Sequence, residues 1–246
     1  VKSLTNKRII LGVSGSIAAY KAPSIIRRLQ DIGAQVKVIL TQGGAKFITK
    51  LSLQITSKNK VYDNLWDEEK ESIITHIELA KWADVILIAP ASANTIYDLA
   101  NAKANNLLTN VVLASDAKMI IAPAMNQQMY KNITVKENIQ TLIKRKVALI
   151  NPSFGNQACG DIGQGTLADP KLIADFVADT FKNTKLTGKN LLITLGATVE
   201  EIDPVRFISN KSSGKMGLGI ANACLEAGAK VTVIYGNITT KLNDKC

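Results

Sequence analysis

Cys159 stands in NQACGDIGQGTLADP (156–170), where glycines at 160, 163 and 165 read as an exposed flap. A thiol there is available as a reactive or proton-donating group. Cys224 falls on the apolar side of a helical segment and Cys246 is the last residue, so packing or no role suffices for those two. His76, the single histidine, lies in ITHIELAKWAD (74–84), at a short helix start ahead of a strand. Histidine is the residue type suited to proton transfer near neutral pH, and a purely structural role is the plain alternative. APAMNQQMY (122–130) places Asn126 at another helix start beside Met125 and Met129, either as a cap among core methionines or as an amide offered to a ligand.

GVSGSIAAYK (12–21) sets Gly12 and Gly15 in a turn and Ser16 at the head of a helix. Glycines allow close backbone approach to an anion, and the helix start donates N–H groups and a favourable dipole, so the segment outlines a phosphate cradle. GxxGS is not GxGxxG, and no acidic residue closes the second strand where a ribose would be held. A mononucleotide phosphate therefore fits better than NAD; a simple tight turn is the alternative. Thr41 ends the second strand, and Ser92, Asn94 and Thr95 follow the third in APASANT (89–95). These hydroxyls and amides either converge on a ligand or serve as N-caps. The carboxylates Glu78, Asp84 and Asp98 show no pairing of the glycosidase kind.

These groups need a scaffold that brings loop after loop to one edge. Short apolar runs at 8–13, 36–40, 84–89, 118–122 and 147–150 read as buried strands. They alternate with helical spacing at 23–32, 95–102 and 136–145, which calls for a doubly wound parallel α/β sheet with ligands beyond the strand C-termini. A helix over 170–183 is followed by polar TKLTGKN, and the pattern then restarts as strand 191–196, a Gly/Ser-rich loop, helix 218–228 and strand 230–235. The reading is a domain over 1–185 and the first part of a second Rossmann-like domain over 186–246. DIGAQVKVIL (31–40) and EAGAKVTVIY (226–235) repeat one helix-end, glycine-turn, strand unit, with Gly33 and Gly228 as left-handed caps.

The chain of 246 residues is 46% apolar and 20% charged, a globular balance. No apolar run approaches the roughly 20 residues of a membrane span, and the start lacks a secretory core, so a cytoplasmic address is expected. Three separated cysteines argue against a disulfide framework, and one histidine without a CxxC pair argues against zinc. The net charge of +10 comes from lysines scattered singly, with no run longer than KRK at 144–146, which favours a solvated basic face over a nucleic-acid surface.

Together GVSGSIAAYK, THIELAKWADVILIAPASANT, APAMNQQMY and ACGDIGQGTLADP resemble the decarboxylase half of the bifunctional phosphopantothenoylcysteine decarboxylase / phosphopantothenate–cysteine ligase family of coenzyme A biosynthesis. That half belongs to the homo-oligomeric flavin-containing cysteine decarboxylases, and the match spans about 180 residues. GATVEEIDPVRFISNKSSGKMG (196–217) resembles the start of the ligase half. The resemblance implies FMN with its phosphate at Gly15, Ser16 and Thr41, and with Ser92, Asn94, Thr95 and Ala124 near the flavin. It implies oxidation of the cysteinyl thiol of 4'-phosphopantothenoylcysteine, loss of the carboxylate, and reduction to 4'-phosphopantetheine. His76 would act as acid/base, Asn126 would orient the substrate carboxylate and amide, and Cys159 would donate the final proton.

Thr166 stands where the family's flap usually has arginine, and Tyr130 replaces a common tryptophan. In the ligase-like part Asn210, Ser212, Ser213, Gly214 and Lys215 keep the substrate-binding pattern, whereas Ala197, Val199 and Glu201 depart from it. Residues 186–246 are far shorter than the family's ligase domain, so CTP and Mg2+ would belong to a complete ligase half, and no ligation is expected of this stretch alone. No nucleic acid or membrane partner is implied; a homo-oligomer built from trimers, with the flavin near the subunit contact, is. Two other functions stand beside this one: flavin-dependent decarboxylation of another cysteine carboxylate, or a non-catalytic flavin-binding regulator.

Overall fold

The computed structural model describes residues 3–65, 75–182 and 185–239; Cys246 lies outside them. It forms two compact units, Val1–Thr180 and Phe181–Cys246. The first runs β1 (Arg8–Val13), a 3-10 turn (Ile17–Lys21), α1 (Ala22–Asp31), β2 (Gln35–Leu40), a second 3-10 turn (Gly44–Lys46), α2 (Lys50–Ser57) and β3 (Val61–Tyr62). Then come α3 (Thr75–Trp82), β4 (Val85–Ala91), α4 (Ala93–Ala100), α5 (Leu107–Leu113), β5 (Lys118–Pro123), α6 (Gln127–Lys131) and α7 (Ile133–Lys144). The unit closes with β6 (Ala148–Leu149), β7 (Ser153–Asn156), β8 (Ile162–Thr166) and α8 (Pro170–Asp179).

Six parallel strands lie in the order β3-β2-β1-β4-β5-β6. Leu11 sits opposite Val38 on one side and Leu87 on the other, which fixes the register of the three central strands. Their side chains alternate between two buried faces. Ile10, Ile86, Ile88 and Ile121 pack with Leu79, Ile96, Leu99, Leu108 and Leu142 from α3, α4, α5 and α7. The intervening Ile9, Leu11, Leu87 and Ile120 are fully buried too, as a sheet covered on both faces requires. Each such side chain contributes about 1.5–3 kcal/mol on leaving water, so branched apolar runs dictate strands here. α1 packs against α2 and α8.

Polar groups set the ends. Asp84 accepts hydrogen bonds from the backbone N–H of Arg8 (2.8 Å) and from its guanidinium (3.0 Å), tying the starts of β1 and β4. That guanidinium hydrogen bond, the largest cause, holds the Asp84 carboxyl below the usual range. Asp169 caps α8 by accepting from Lys171 N at 2.8 Å, with Pro170 in the first turn. Gly33, at φ +96°, ends the chain's first helix in the left-handed region.

The structure corrects the sequence reading at four places. Gly12 lies inside β1, and not in the turn: a Cβ there would come 2.7 Å from Leu108 Cδ1, so its role is to let α5 close on the sheet. The glycine-rich flap is an antiparallel hairpin of β7 and β8 rather than an irregular loop. α2, β3 and α5 were not anticipated, and the helix expected over 170–183 ends at Asp179.

The second unit contains β9 (Asn190–Leu195), β10 (Val199–Glu201), β11 (Phe207–Ser209), α9 (Lys215–Glu226) and β12 (Lys230–Tyr235). β9 and β12 pair in parallel, and β10 and β11 antiparallel. Ala221, Ala229 and Val231 form its small core with Cys224 packed against them, and Gly228 is left-handed at φ +89°.

Candidate active site

The chain passes from β1 through β2 and β3 to one side of the sheet, then returns to place β4 on the other side of β1. Such a switch leaves a crevice beyond the strand C-termini. Ser14, fully buried, spans it: its hydroxyl donates to Pro90 O at 2.7 Å and accepts from Ser92 N at 2.8 Å. Ser16 caps the following 3-10 turn, accepting from Ala18 N. Gly15 lies against Gly43: a Cβ would come 3.2 Å from the Gly43 Cα and carbonyl carbon. The Thr41 hydroxyl donates to Val13 O (3.2 Å) and accepts from Gly44 N (3.1 Å), which sets this approach of two loops.

After β4, Ser92 is the N-cap, its hydroxyl accepting from Thr95 N at 3.3 Å. Thr95 is buried, with its hydroxyl 3.1 Å from that of Ser92. Asn94 turns its amide to the buried carboxylate of Asp98 (3.2 Å), which also accepts from Asn105 at 3.2 Å. After β5, Ala124 N donates to Ala91 O, and Asn126 caps α6 by accepting from Gln128 N at 2.8 Å. With its oxygen so used, Asn126 presents its amide nitrogen to the flap.

The flap meets it there. Asn126 Nδ2 lies 3.3 Å from Cys159 Sγ and 3.0 Å from Asp161 Oδ2, and Cys159 Sγ lies 3.4 Å from the same carboxylate oxygen. Hydrogen bonds from Asn126 first, and then from Cys159, hold the Asp161 carboxyl below its ordinary range. Gln157 Oε1 accepts from Gln127 N at 3.0 Å. Thr166 donates to Ser153 O at 2.8 Å, inside the hairpin. A Cβ at Gly165 would collide with Met125 O, and one at Gly163 with the Gln127 side chain. These two glycines therefore let the hairpin press directly on residues 125–127.

A cavity of about 640 Å³ opens between these loops. Gly15, Ser16, Ser92, Ala124, Asn126, Cys159 and Thr166 line it, so the structure brings together Cys159, Asn126 and most of the expected cofactor positions. Thr41, Asn94 and Thr95 are not among its lining residues, and neither is His76, which α3 carries. Thr41 shapes the cradle from behind. Sequence reasoning missed Ser14, Tyr20, Lys21, Phe47, Gln157 and Asp161; all but Ser14 and Asp161 line the cavity.

In the second unit, Asn210 accepts from Ser212 N at 2.9 Å, and Gly214, at φ +78°, precedes Lys215 at the start of α9. A Cβ at Gly214 would come 2.8 Å from Ile238 Cγ2. Ser213 O accepts from Thr239 N at 3.4 Å. Among the described residues no cluster of three or more His, Cys, Asp or Glu could hold a metal, and no helix is long and apolar enough to cross a membrane.

A parallel sheet with its pocket at the switch point, glycine-lined at one loop and thiol-bearing at another, defines a cofactor-binding α/β protein of the Rossmann-like class. The chain belongs to the Flavoprotein family, whose profile matches residues 1–182; a second profile, the DNA/pantothenate metabolism flavoprotein C-terminal domain, matches residues 186–246. The coenzyme A biosynthesis bifunctional protein CoaBC of Vibrio parahaemolyticus is 47% identical over 98% of this chain and 61% of its own length. The chain thus spans about three fifths of the curated relatives it matches. Among solved structures, a cysteine-to-serine mutant of PPC decarboxylase complexed with pantothenoylaminoethenethiol is similar at 34% identity and TM-score 0.66, over 71% of this chain and 98% of that one. The FMN binding protein AtHal3 is similar at 35% identity and TM-score 0.63, over 71% of this chain and 96% of that one.

Proposed function

We propose that residues 1–182 bind FMN and decarboxylate 4'-phosphopantothenoylcysteine to 4'-phosphopantetheine in coenzyme A biosynthesis. The observation that carries this is the meeting of Cys159 and Asn126 at the wall of a strand-end cavity. The cavity suits a mononucleotide cofactor: its volume falls in the range of cofactor sites, and the close Gly15–Gly43 approach, which a Cβ would push apart, holds the cradle loop at its edge. Gly15 and Ser16 offer backbone and hydroxyl to the phosphate, with Lys21 as its counter-charge. Ser92 and Ala124 face the ring system, with Phe47 and Tyr20 as apolar walls.

Held by Gly15, Ser16, Ser92 and Ala124, FMN would supply the two-electron oxidation of the cysteinyl carbon–sulfur unit and the later return of those electrons. The chain's own groups do the rest. Asn126, its oxygen held by the α6 cap, keeps one amide N–H on Asp161 and turns the other, which otherwise reaches Cys159, to the substrate carboxylate. The carboxylate leaves as carbon dioxide, its bonding electrons passing into the adjacent carbon–sulfur unit. The hairpin covers the site and limits water, and Cys159 delivers a proton to the carbon that lost the carboxylate. An ethenethiol is what remains of a cysteinyl group after carbon dioxide is lost and before the final reduction. The PPC decarboxylase relative that is complexed with one carries serine for cysteine.

His76 does not line the cavity of its own chain. In a homo-oligomer with the flavin near the subunit contact, α3 delivers it to the site of a neighbouring copy as the acid/base group. Residues 186–246 form part of a CTP- and Mg2+-dependent ligase domain, with Asn210, Ser212, Ser213, Gly214 and Lys215 on its substrate side. The test is direct: FMN titrated into the purified chain gives a bound flavin spectrum, and the loaded protein releases carbon dioxide from 4'-phosphopantothenoylcysteine. A chain that binds no FMN sinks the proposal.

A further inference from the structure

One carboxylate beside the proposed proton donor has no part in the scheme above. Asp161 lies just before β8, and its backbone carbonyl accepts from Gln157 N at 2.8 Å, which closes the turn that carries Cys159. Its side-chain Oδ2 is 3.4 Å from Cys159 Sγ and 3.0 Å from Asn126 Nδ2, while that same nitrogen is 3.3 Å from the sulfur. Carboxylate, amide and thiol therefore form a closed triangle. We propose that Asp161 is the positioning residue for Cys159: its carboxylate accepts the S–H hydrogen bond and, with Asn126, fixes the sulfur at the cavity wall with its proton in place.

The inference rests on the reading of Cys159 as the final proton donor. A cysteine at an exposed hairpin turn has several staggered rotamers open to it, and only a specific partner selects one. Donation to carbon also requires that sulfur hold its proton when the carbon is ready. Asp161 is itself kept anionic by the amide of Asn126 and the thiol, which lower its proton affinity. Asparagine at 161 would keep the size and lose the charge. Glutamate would keep the charge on a longer arm.

The experiment uses the FMN-loaded full chain and reads alkylation of the Cys159 peptide by iodoacetamide at pH 7 with mass spectrometry, a signal independent of turnover. Asp161→Asn, with the sulfur released from its fixed place at the cavity wall, is expected to alkylate roughly fivefold faster than wild type. Asp161→Glu is expected to return most of the way to the wild-type rate. In turnover, Asp161→Asn releases carbon dioxide but yields a larger fraction of the unsaturated thiol. An Asp161→Asn rate within twofold of wild type overturns the assignment, as does an Asp161→Glu rate matching Asp161→Asn. Loss of FMN binding in Asp161→Asn also overturns it, because the residue would then be structural. Cys159→Ser separates the two layers: if it makes fully reduced product, the donor reading fails whatever the alkylation contrast shows.

Discussion

At the scale of single residues, the site joins groups of very different legibility. Cys159 stood out as a thiol among glycines, whereas Asn126 shares its place at a helix start with Asn106 and Asn132 and drew its expected role from the resemblance. Lys21 did not stand out, since the chain has thirty lysines and arginines and no local pattern marks one of them. Only the topology, which turns its 3-10 segment over the β1 end, puts it at the cavity. Asp161 was hidden for the same reason: its meaning lies in two distances to side chains, one of them 35 positions away in sequence. Lys21→Ala is expected to weaken FMN binding roughly three- to tenfold, with a larger effect at low ionic strength, as befits a part-exposed charge facing a phosphate. Fluorescence titration of FMN at two salt concentrations measures this, and an unchanged Kd at both would remove Lys21 from the site.

At the scale of elements, the central strands were readable because each is a run of branched apolar residues buried on both faces. Helix α2, with Leu51 and Ile55 exposed, has no clear apolar stripe, and α5, LLTNVVL, is a short, mostly apolar segment that could equally have been a strand. The hairpin of β7 and β8 escaped because glycines at 155, 163 and 165 replace the side chains whose alternation would announce it. Ser14 joins the β1 and β4 loops through one buried hydroxyl, and both its partners are backbone groups. Ser14→Ala leaves Ser92 N without this acceptor, while Pro90 O keeps the backbone N–H of residue 14 at 3.3 Å, so the first unit should lose roughly 1–3 kcal/mol, with a lowered melting temperature in the FMN-free chain. FMN should also bind more weakly, because Ser92 lines the cavity. A variant that melts with the wild type would show that the bridge is dispensable.

At the scale of the whole molecule, His76 is the residue that a single copy leaves unplaced. Its chemistry was visible in the sequence; its place outside the cavity lining was not, because that depends on where the fold sets α3 and not on any local pattern. If a neighbouring copy receives it, a mixture of His76→Asn and Cys159→Ser chains, unfolded and refolded together, contains sites with both groups intact. Such mixed oligomers should recover reduced product well above either parent. A mixture as inactive as its parents would assign His76 to its own chain's site or to no site.

The central claim is that this flavoprotein decarboxylates a cysteinyl substrate and that Cys159 supplies the last proton. One measurement addresses both parts: mass analysis of the products formed from 4'-phosphopantothenoylcysteine by FMN-loaded wild type and by Cys159→Ser. Wild type should yield 4'-phosphopantetheine, and the variant should release carbon dioxide yet stop at the unsaturated thiol, two hydrogens short. Formation of 4'-phosphopantetheine by the variant at the wild-type rate would contradict the account.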